Sequence, residues 1–238
     1  MKSLRQFIKE SSQDEINFHP KNRMELLDTI AKLWKQAGNR ADYNSIDTSE
    51  ITDMSEIFSA RVWYYEMGMR TVCKKFNSDI SKWDTSKVTT MYRMFDGAIS
   101  FDRDISDWNV SNVENFSAMF CDARSFNKDL NKWDTSAAKD MSHMFQLTDR
   151  FNGHIEKWDV SGVENMTAMF GGAISFNRDI SGWDTRSLKK VTGMFFQAKS
   201  FNQDISGWNT SKFEEDLDGE DVFVESGLSK FPEKQFKS

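Results

Sequence analysis

"FNRDISGWDT", residues 176–185, recurs 25 residues later as "FNQDISGWNT" at 201–210, and the reading of this pair decides the fold. Stepping back from Phe201 in intervals of 25 lands on Phe176, Phe151, Phe126, Phe101 and Phe76, so six blocks open on Phe with no insertion or deletion between them. A fixed period of this length marks an internal repeat. With Phe as position 1, position 8 is always Trp (Trp83, Trp108, Trp133, Trp158, Trp183, Trp208) and position 5 is Ile or Leu. Position 13 is mostly aliphatic, and a Met-Phe pair holds positions 19 and 20 in five blocks, from Met94-Phe95 to Met194-Phe195. The fixed columns are apolar and the residues between them are polar and drift. One such unit is too small to bury its own apolar face, whereas stacked copies share a continuous core.

The spacing also predicts local structure. Around Ile at position 5, the runs "RDIS" and "SDIS" fit a short parallel strand with polar side chains facing outward. Val88, Met91, Met94 and Phe95 recur at steps that place them on one side of a short helix. The intervening "WDTS" supplies a corner, because Asp and Ser side chains bond nearby amides. The expected fold is an α/β solenoid with one short strand and one short helix per repeat.

The run "FNxDISxWDTSxVTxMxxMFxxAxS" resembles the 25-residue repeat of bacterial and mycoplasmal surface proteins grouped with the BspA-like leucine-rich-repeat family. The resemblance covers residues 76–211. A degenerate block precedes it, with Ile46 at the Trp position and Asp47, Thr48, Ser49, Ile51, Met54, Ile57 and Phe58 in the corner and Met-Phe columns. It implies a right-handed leucine-rich-repeat-like stack and a role in adhesion or interaction rather than a defined chemistry. The family's surface members begin with an export or lipoprotein signal. "MKSLRQFIKESSQDEINF" at residues 1–18 holds no apolar run of that length, and no later stretch reaches the roughly 18 apolar residues of a membrane span. The expected location is therefore a bacterial cytoplasm or a bacteriophage virion. Two cysteines, Cys73 and Cys121, do not make a disulfide framework.

A stack needs covers at its ends. Residues 1–40 are expected to form an N-terminal helical cap. In "HPKNRMELLDTIAKLWKQAGN" (19–39), Pro20 and Gly38 bracket a helix whose apolar stripe is Met24, Leu27, Ile30, Ala31 and Trp34. Leu4, Phe7 and Ile8 suit a shorter helix on the same cap. Residues 41–75 form the degenerate repeat, and 212–238 an acidic C-terminal cap or tail. Within that last stretch, Glu214, Glu215, Asp216, Asp218, Glu220 and Asp221 carry the whole formal charge of −6. The rest of the chain is near neutral and offers no basic stripe for nucleic acid.

Oxygen-bearing columns recur at position 4 (Asp79, Asp104, Asp129, His154, Asp179, Asp204), position 2 and position 9. Stacked about 4.8 Å apart, they have the spacing for calcium between turns, or they serve turn amides and hydrogen-bonded ladders. His154 in the Asp column favours the second use, and no cofactor is expected. His19, His143 and His154 stand in no metal motif. Cys121 and His143 lie nearly one block apart without a third orienting group, and Gly171-Gly172 lies in no phosphate motif, so an enzyme is not expected.

What remains is surface. Position 3 runs Ser78, Arg103, Lys128, Gly153, Arg178, Gln203, and position 7 runs Lys82, Asp107, Lys132, Lys157, Gly182, Gly207. Arg103, Lys128 and Arg178 are candidate contacts for an acidic protein partner. Phe58 to Phe76 is 18 residues where Phe95 to Phe101 is 6, so the first turn carries 12 extra residues. That insertion holds Trp63, Tyr64 and Tyr65, a cluster suited to an interface core or to packing on its own cap. The function expected from sequence is a non-enzymatic protein-protein interaction module, with a structural or decoration component of a bacteriophage particle as the alternative.

Overall fold

The structure, a computed structural model, describes residues 18–61, 69–213 and 226–227. Leu4, Phe7 and Ile8, the cluster Trp63-Tyr64-Tyr65 and the acidic run 214–221 lie outside the described residues.

Helix α1, Arg23–Ala37, begins where Asn22 accepts the amides of Met24 and Glu25 and ends at Gly38, whose φ of 58° suits a residue without a Cβ. Glu25 reaches back to the Lys21 amide at 2.8 Å, completing a reciprocal cap. The buried face is Leu26, Leu27, Ile30, Ala31 and Leu33, with Trp34 partly buried against it. Met24, expected in the stripe, is 56% exposed. The coil beneath contacts the face one position round from it, where Arg23 pairs with Glu56 at 2.9 Å. A second helix, α2, Met69–Lys75, leads into the first full block.

From Tyr43 onward each block lies on the next. The blocks are coil 0 (residues 43–61) and coils 1 to 5, beginning at Phe76, Phe101, Phe126, Phe151 and Phe176, and Phe201 opens a sixth. Parallel pairing runs Asp53, Thr90, Asn115, Asp140, Asn165, Lys190, all at position 15. This departs from the expectation in two respects. The backbone ladder runs through the Met-Phe half of each block rather than through "DIS", and no helix forms in residues 76–211. Met91, Arg93, Phe95 and Gly97 donate their amides to Asn115, Ser117, Met119 and Cys121 of the next coil at 2.7–2.9 Å. The intervening amides of Met94, Asp96 and Ala98 close tight turns on Met91, Arg93 and Phe95 at 2.9–3.1 Å. Alternate amides thus point along the stack, and an α-helix would have taken them all for itself.

The conformation that permits this alternation places position 18 in the left-handed region at Arg93, Ala118, His143, Ala168 and Gly193, with φ between 50° and 62°. Position 22 does the same at Gly97, Asp122, Leu147, Gly172 and Gln197. Each non-glycine residue held there costs about 1 kcal/mol or more. The ladder recurs at every coil and over-determines the conformation.

Inside, the aromatic columns stack. Phe at position 20 packs face to face on the Phe that opens the next block at 3.8–4.1 Å between ring centres, from Phe58–Phe76 to Phe195–Phe201. Phe58 and Phe76 meet at 3.9 Å like every other pair, so the insertion leaves and rejoins the stack in register. Each Trp is nearly buried and its indole N–H donates to the position 5 carbonyl of the preceding block, from Trp83 to Tyr43 through Trp208 to Ile180, at 2.9–3.3 Å. Buried indoles require such a partner, and this one ties each coil to its predecessor.

Candidate functional site

The polar columns are occupied by the stack itself. Asn39 and the position 2 side chains Asn77, Asp102, Asn127, Asn152 and Asn177 each accept an amide one coil further on, from that of Asn77 to that of Asn202, at 2.8–3.0 Å. At position 4, Asp79, Asp104, Asp179 and Asp204 accept the amide two residues ahead at 2.9–3.0 Å. Position 9 repeats the device from Asp84 to Asn209. At Asp79, Asp104 and Asp179 these bonds hold the carboxyl below its ordinary range, chiefly through the Ser81 amide, the Ser106 amide and the Ser181 hydroxyl respectively. Of the two uses read from sequence, the oxygen columns display the turn and ladder use. Among the described residues, no group of three or more His, Cys, Asp or Glu is placed to hold a metal ion.

Cys121 and His143 do not meet. Gln146 Oε1 stands between them, 3.8 Å from Cys121 Sγ and 3.0 Å from His143 Nδ1. Burial pushes the Cys121 thiol up to about 12, which keeps it protonated. Nearby, Asp96 is 2% exposed and burial raises its pKa, with Arg61 Nε 2.9 Å from Oδ1 in an ion-pair contact that lacks hydrogen-bond alignment. Arg61 also reaches Asp122 at 3.2 Å, so the chain leaving coil 0 is held across coils 1 and 2.

Position 3 departs from the expectation of free outward side chains. Arg103 Nε donates to the Asn77 carbonyl at 2.6 Å, and Arg178 Nε donates to the Asn152 carbonyl at 2.7 Å. Lys128 pairs with Asp102 at 2.9 Å. Gln203 donates to Asn177. The three candidate residues do share one face, yet each reaches back as a clip onto the preceding coil.

The clip column breaks at Gly153. A Cβ there would lie 2.1 Å from the Lys128 carbonyl oxygen, inside contact distance. Coil 4 is drawn against coil 3 by the Leu130 amide, which donates to the His154 carbonyl at 2.9 Å. With no side chain to lay across Asn127, the face holds a hollow of about 500 Å³, lined by Ser106, Asn127, Lys128, Asn131, Lys132 and His154 with the carboxylates of Asp104 and Asp129.

The hollow is lined by charges of both signs. Asp104 already accepts the Ser106 amide and Asp129 the His154 amide. Each ammonium has three donors; Lys128 directs one at Asp102, and Lys132, 67% exposed, directs one at Asp107 at 2.6 Å. Lys132 and His154 were not singled out as candidates from the sequence. The signal available was the glycine interrupting a column of longer side chains.

The protein belongs to the family described as "Mycoplasma protein of unknown function, DUF285", whose model matches residues 28–149 and 129–226. No curated protein and no solved structure matches the chain. No helix among the described residues is long and apolar enough to cross a membrane.

Proposed function

We propose that this chain is a non-enzymatic protein-protein interaction module, a short capped solenoid of the BspA-like leucine-rich-repeat kind. It receives a protein partner on the face formed by positions 2 to 7 of coils 2 to 4. The observation that carries this reading is the hollow at the Gly153 break. Arg103, Arg178 and Gln203 on this face donate to the backbone of the preceding coil, whereas around this open space Lys128 and Lys132 pair with the side chains of Asp102 and Asp107 and keep further donors. The occupant with matching chemistry is an acidic side chain on an extended partner segment. Extended faces of repeat stacks suit such partners.

The test uses two variants of the intact chain against a partner recovered from the native source at low salt. Replacing Lys128 and Lys132 together by Gln should slow association and flatten its salt dependence, because complementary charge acts mainly on encounter. Ser106→Trp, which fills the hollow and keeps the Ser106 amide, should abolish binding. Unchanged binding by both variants overturns the reading.

A structural role in a larger assembly, such as a bacteriophage particle, draws on a different observation. Position 14 alternates Glu114, Lys139, Glu164, Lys189 along one edge, with Lys189 and Glu164 2.7 Å apart. Set antiparallel against its own copy, this row places every Glu opposite a Lys, as a two-fold contact requires. Sedimentation of the purified chain separates the readings, since a partner-binding module stays monomeric and an assembly component associates with itself.

A further inference from the structure

The hollow beside Gly153 carries its charges in a fixed order. Lys128 and Lys132 lie four residues apart on coil 3, at positions 3 and 7 of the block. The carboxylates of Asp104 and Asp129, both at position 4, fall between them. Along the coil direction the lining therefore runs cation, carboxylate pair, cation.

Neither sign is exhausted by the chain itself. Lys128 and Lys132 reach back to Asp102 and Asp107 of coil 2 at 2.9 and 2.6 Å, and both pairs are open to water, where such pairing holds an ammonium only weakly. Asp104 and Asp129 each spend Oδ1 on an amide, that of Ser106 and that of His154. Among the described residues neither joins an ion pair. The wall on the coil 4 side is already closed, since His154 Nδ1 stands 2.9 Å from Glu156 Oε1 and Asn131 donates to Glu156 Oε2 at 3.0 Å.

An acidic side chain alone would meet the two ammonium groups and, between them, two carboxylates. Like charges set against each other across an interface select against a partner. The space is also larger than one carboxylate fills, since a hollow of about 500 Å³ lies within the ~300–1,000 Å³ range of clefts that take whole small molecules. An extended segment presents alternate side chains on one face, and its residues i and i+4 stand ~13 Å apart, which is also the upper limit for the step from Lys128 to Lys132. On the reading that a protein partner docks here, we propose that the hollow receives an extended partner segment bearing an acidic, a basic and an acidic side chain at alternate positions. The outer two meet Lys128 and Lys132, and the central one meets Asp104 and Asp129.

The test titrates three synthetic heptapeptides with blocked ends into the intact, isotopically labelled chain at low salt and follows its amide chemical shifts. Ser-Glu-Ser-Lys-Ser-Glu-Ser carries the proposed order, Ser-Glu-Ser-Ser-Ser-Glu-Ser lacks the base, and Ser-Lys-Ser-Glu-Ser-Lys-Ser reverses every charge. The first should shift the amides of 127–132 and of His154 saturably, with a Kd lower than that of either control by about ten-fold or more. Asp104→Asn with Asp129→Asn keeps an acceptor for the Ser106 and His154 amides and should bring the first peptide to the level of the second. Equal or tighter binding by the peptide without a base overturns the proposal and leaves an acidic partner at the hollow standing. Equal or tighter binding by the reversed peptide, or an unchanged preference in the Asn variant, overturns it as well. No saturable shift with any of the three overturns both this proposal and the docking of a partner in the hollow.

Discussion

The indole N–H of Trp133 donates to the carbonyl oxygen of Ile105 at 3.0 Å, with Trp133 3% exposed. One side chain thereby both fills the core of its own coil and closes a backbone acceptor of the coil before it. Trp133→Ala should destabilise by about 3–5 kcal/mol. Trp133→Phe keeps a ring and loses the donor, leaving the Ile105 carbonyl unpaired at a cost of about 1–3 kcal/mol. Denaturant midpoints at constant slope give both values, and equal losses for Ala and Phe would mean that ring volume contributes nothing.

Ala168 has a φ of 50°, in the left-handed turn of coil 4. In a helix Ala→Gly costs about 0.5–1 kcal/mol, whereas at this angle glycine relieves steric strain. Ala168→Gly should be neutral or stabilising in thermal melts, and a loss near 1 kcal/mol would restore the helical reading of the Met-Phe run.

Gly153 and Gly182 make a matched pair. A Cβ on Gly153 would lie 2.1 Å from the Lys128 carbonyl, and one on Gly182 would meet nothing within 4 Å. Gly153→Ala should cost about 1–3 kcal/mol by overpacking, while Gly182→Ala should stay within ~0.5 kcal/mol. Similar midpoints for the two variants would contradict the close approach of coils 3 and 4.

Acid stability follows from the turn carboxylates. Asp47 is lowered to about 2, first by the Ser49 hydroxyl, and Asp79, Asp84, Asp104 and Asp179 are lowered in the same direction. A carboxyl with a depressed folded pKa contributes its full stability above the unfolded value near ~3.9 and loses it as pH falls through the folded value. The melting temperature should be level between about pH 7 and 5 and fall from about pH 4 downward, over the range these shifts define. A melting temperature that rises on acidification would reverse the sign of this account.

The apolar columns were legible because burial selects them coil after coil: Phe, Ile, Trp and Met-Phe at fixed positions leave little choice of inward face. The degenerate block was legible for the same reason, and Phe58 stacks on Phe76 as its column predicts. The strand and helix assignments failed for a shared physical cause. Periodicity reports which side chains face inward, not whether an amide bonds along its own turn or to the next coil, and Arg93 or Leu147 in a left-handed turn has no propensity signature. Arg103, Lys128 and Arg178 were located on one face, but their engagement with the preceding coil depends on a spacing that only the stacked backbone supplies. The hollow was written in the sequence only as an absence, the single glycine at position 153.

The central claim, that a protein partner docks on the face around the Gly153 break, is tested most directly by hydrogen exchange of the intact chain with and without a partner captured from its native source. Peptides covering 102–108, 127–133 and 152–158 should exchange more slowly in the complex, while 112–115 and 137–140 on the charged edge stay unchanged. Protection of the edge peptides instead, or a complex that leaves all three face peptides unchanged, would contradict it.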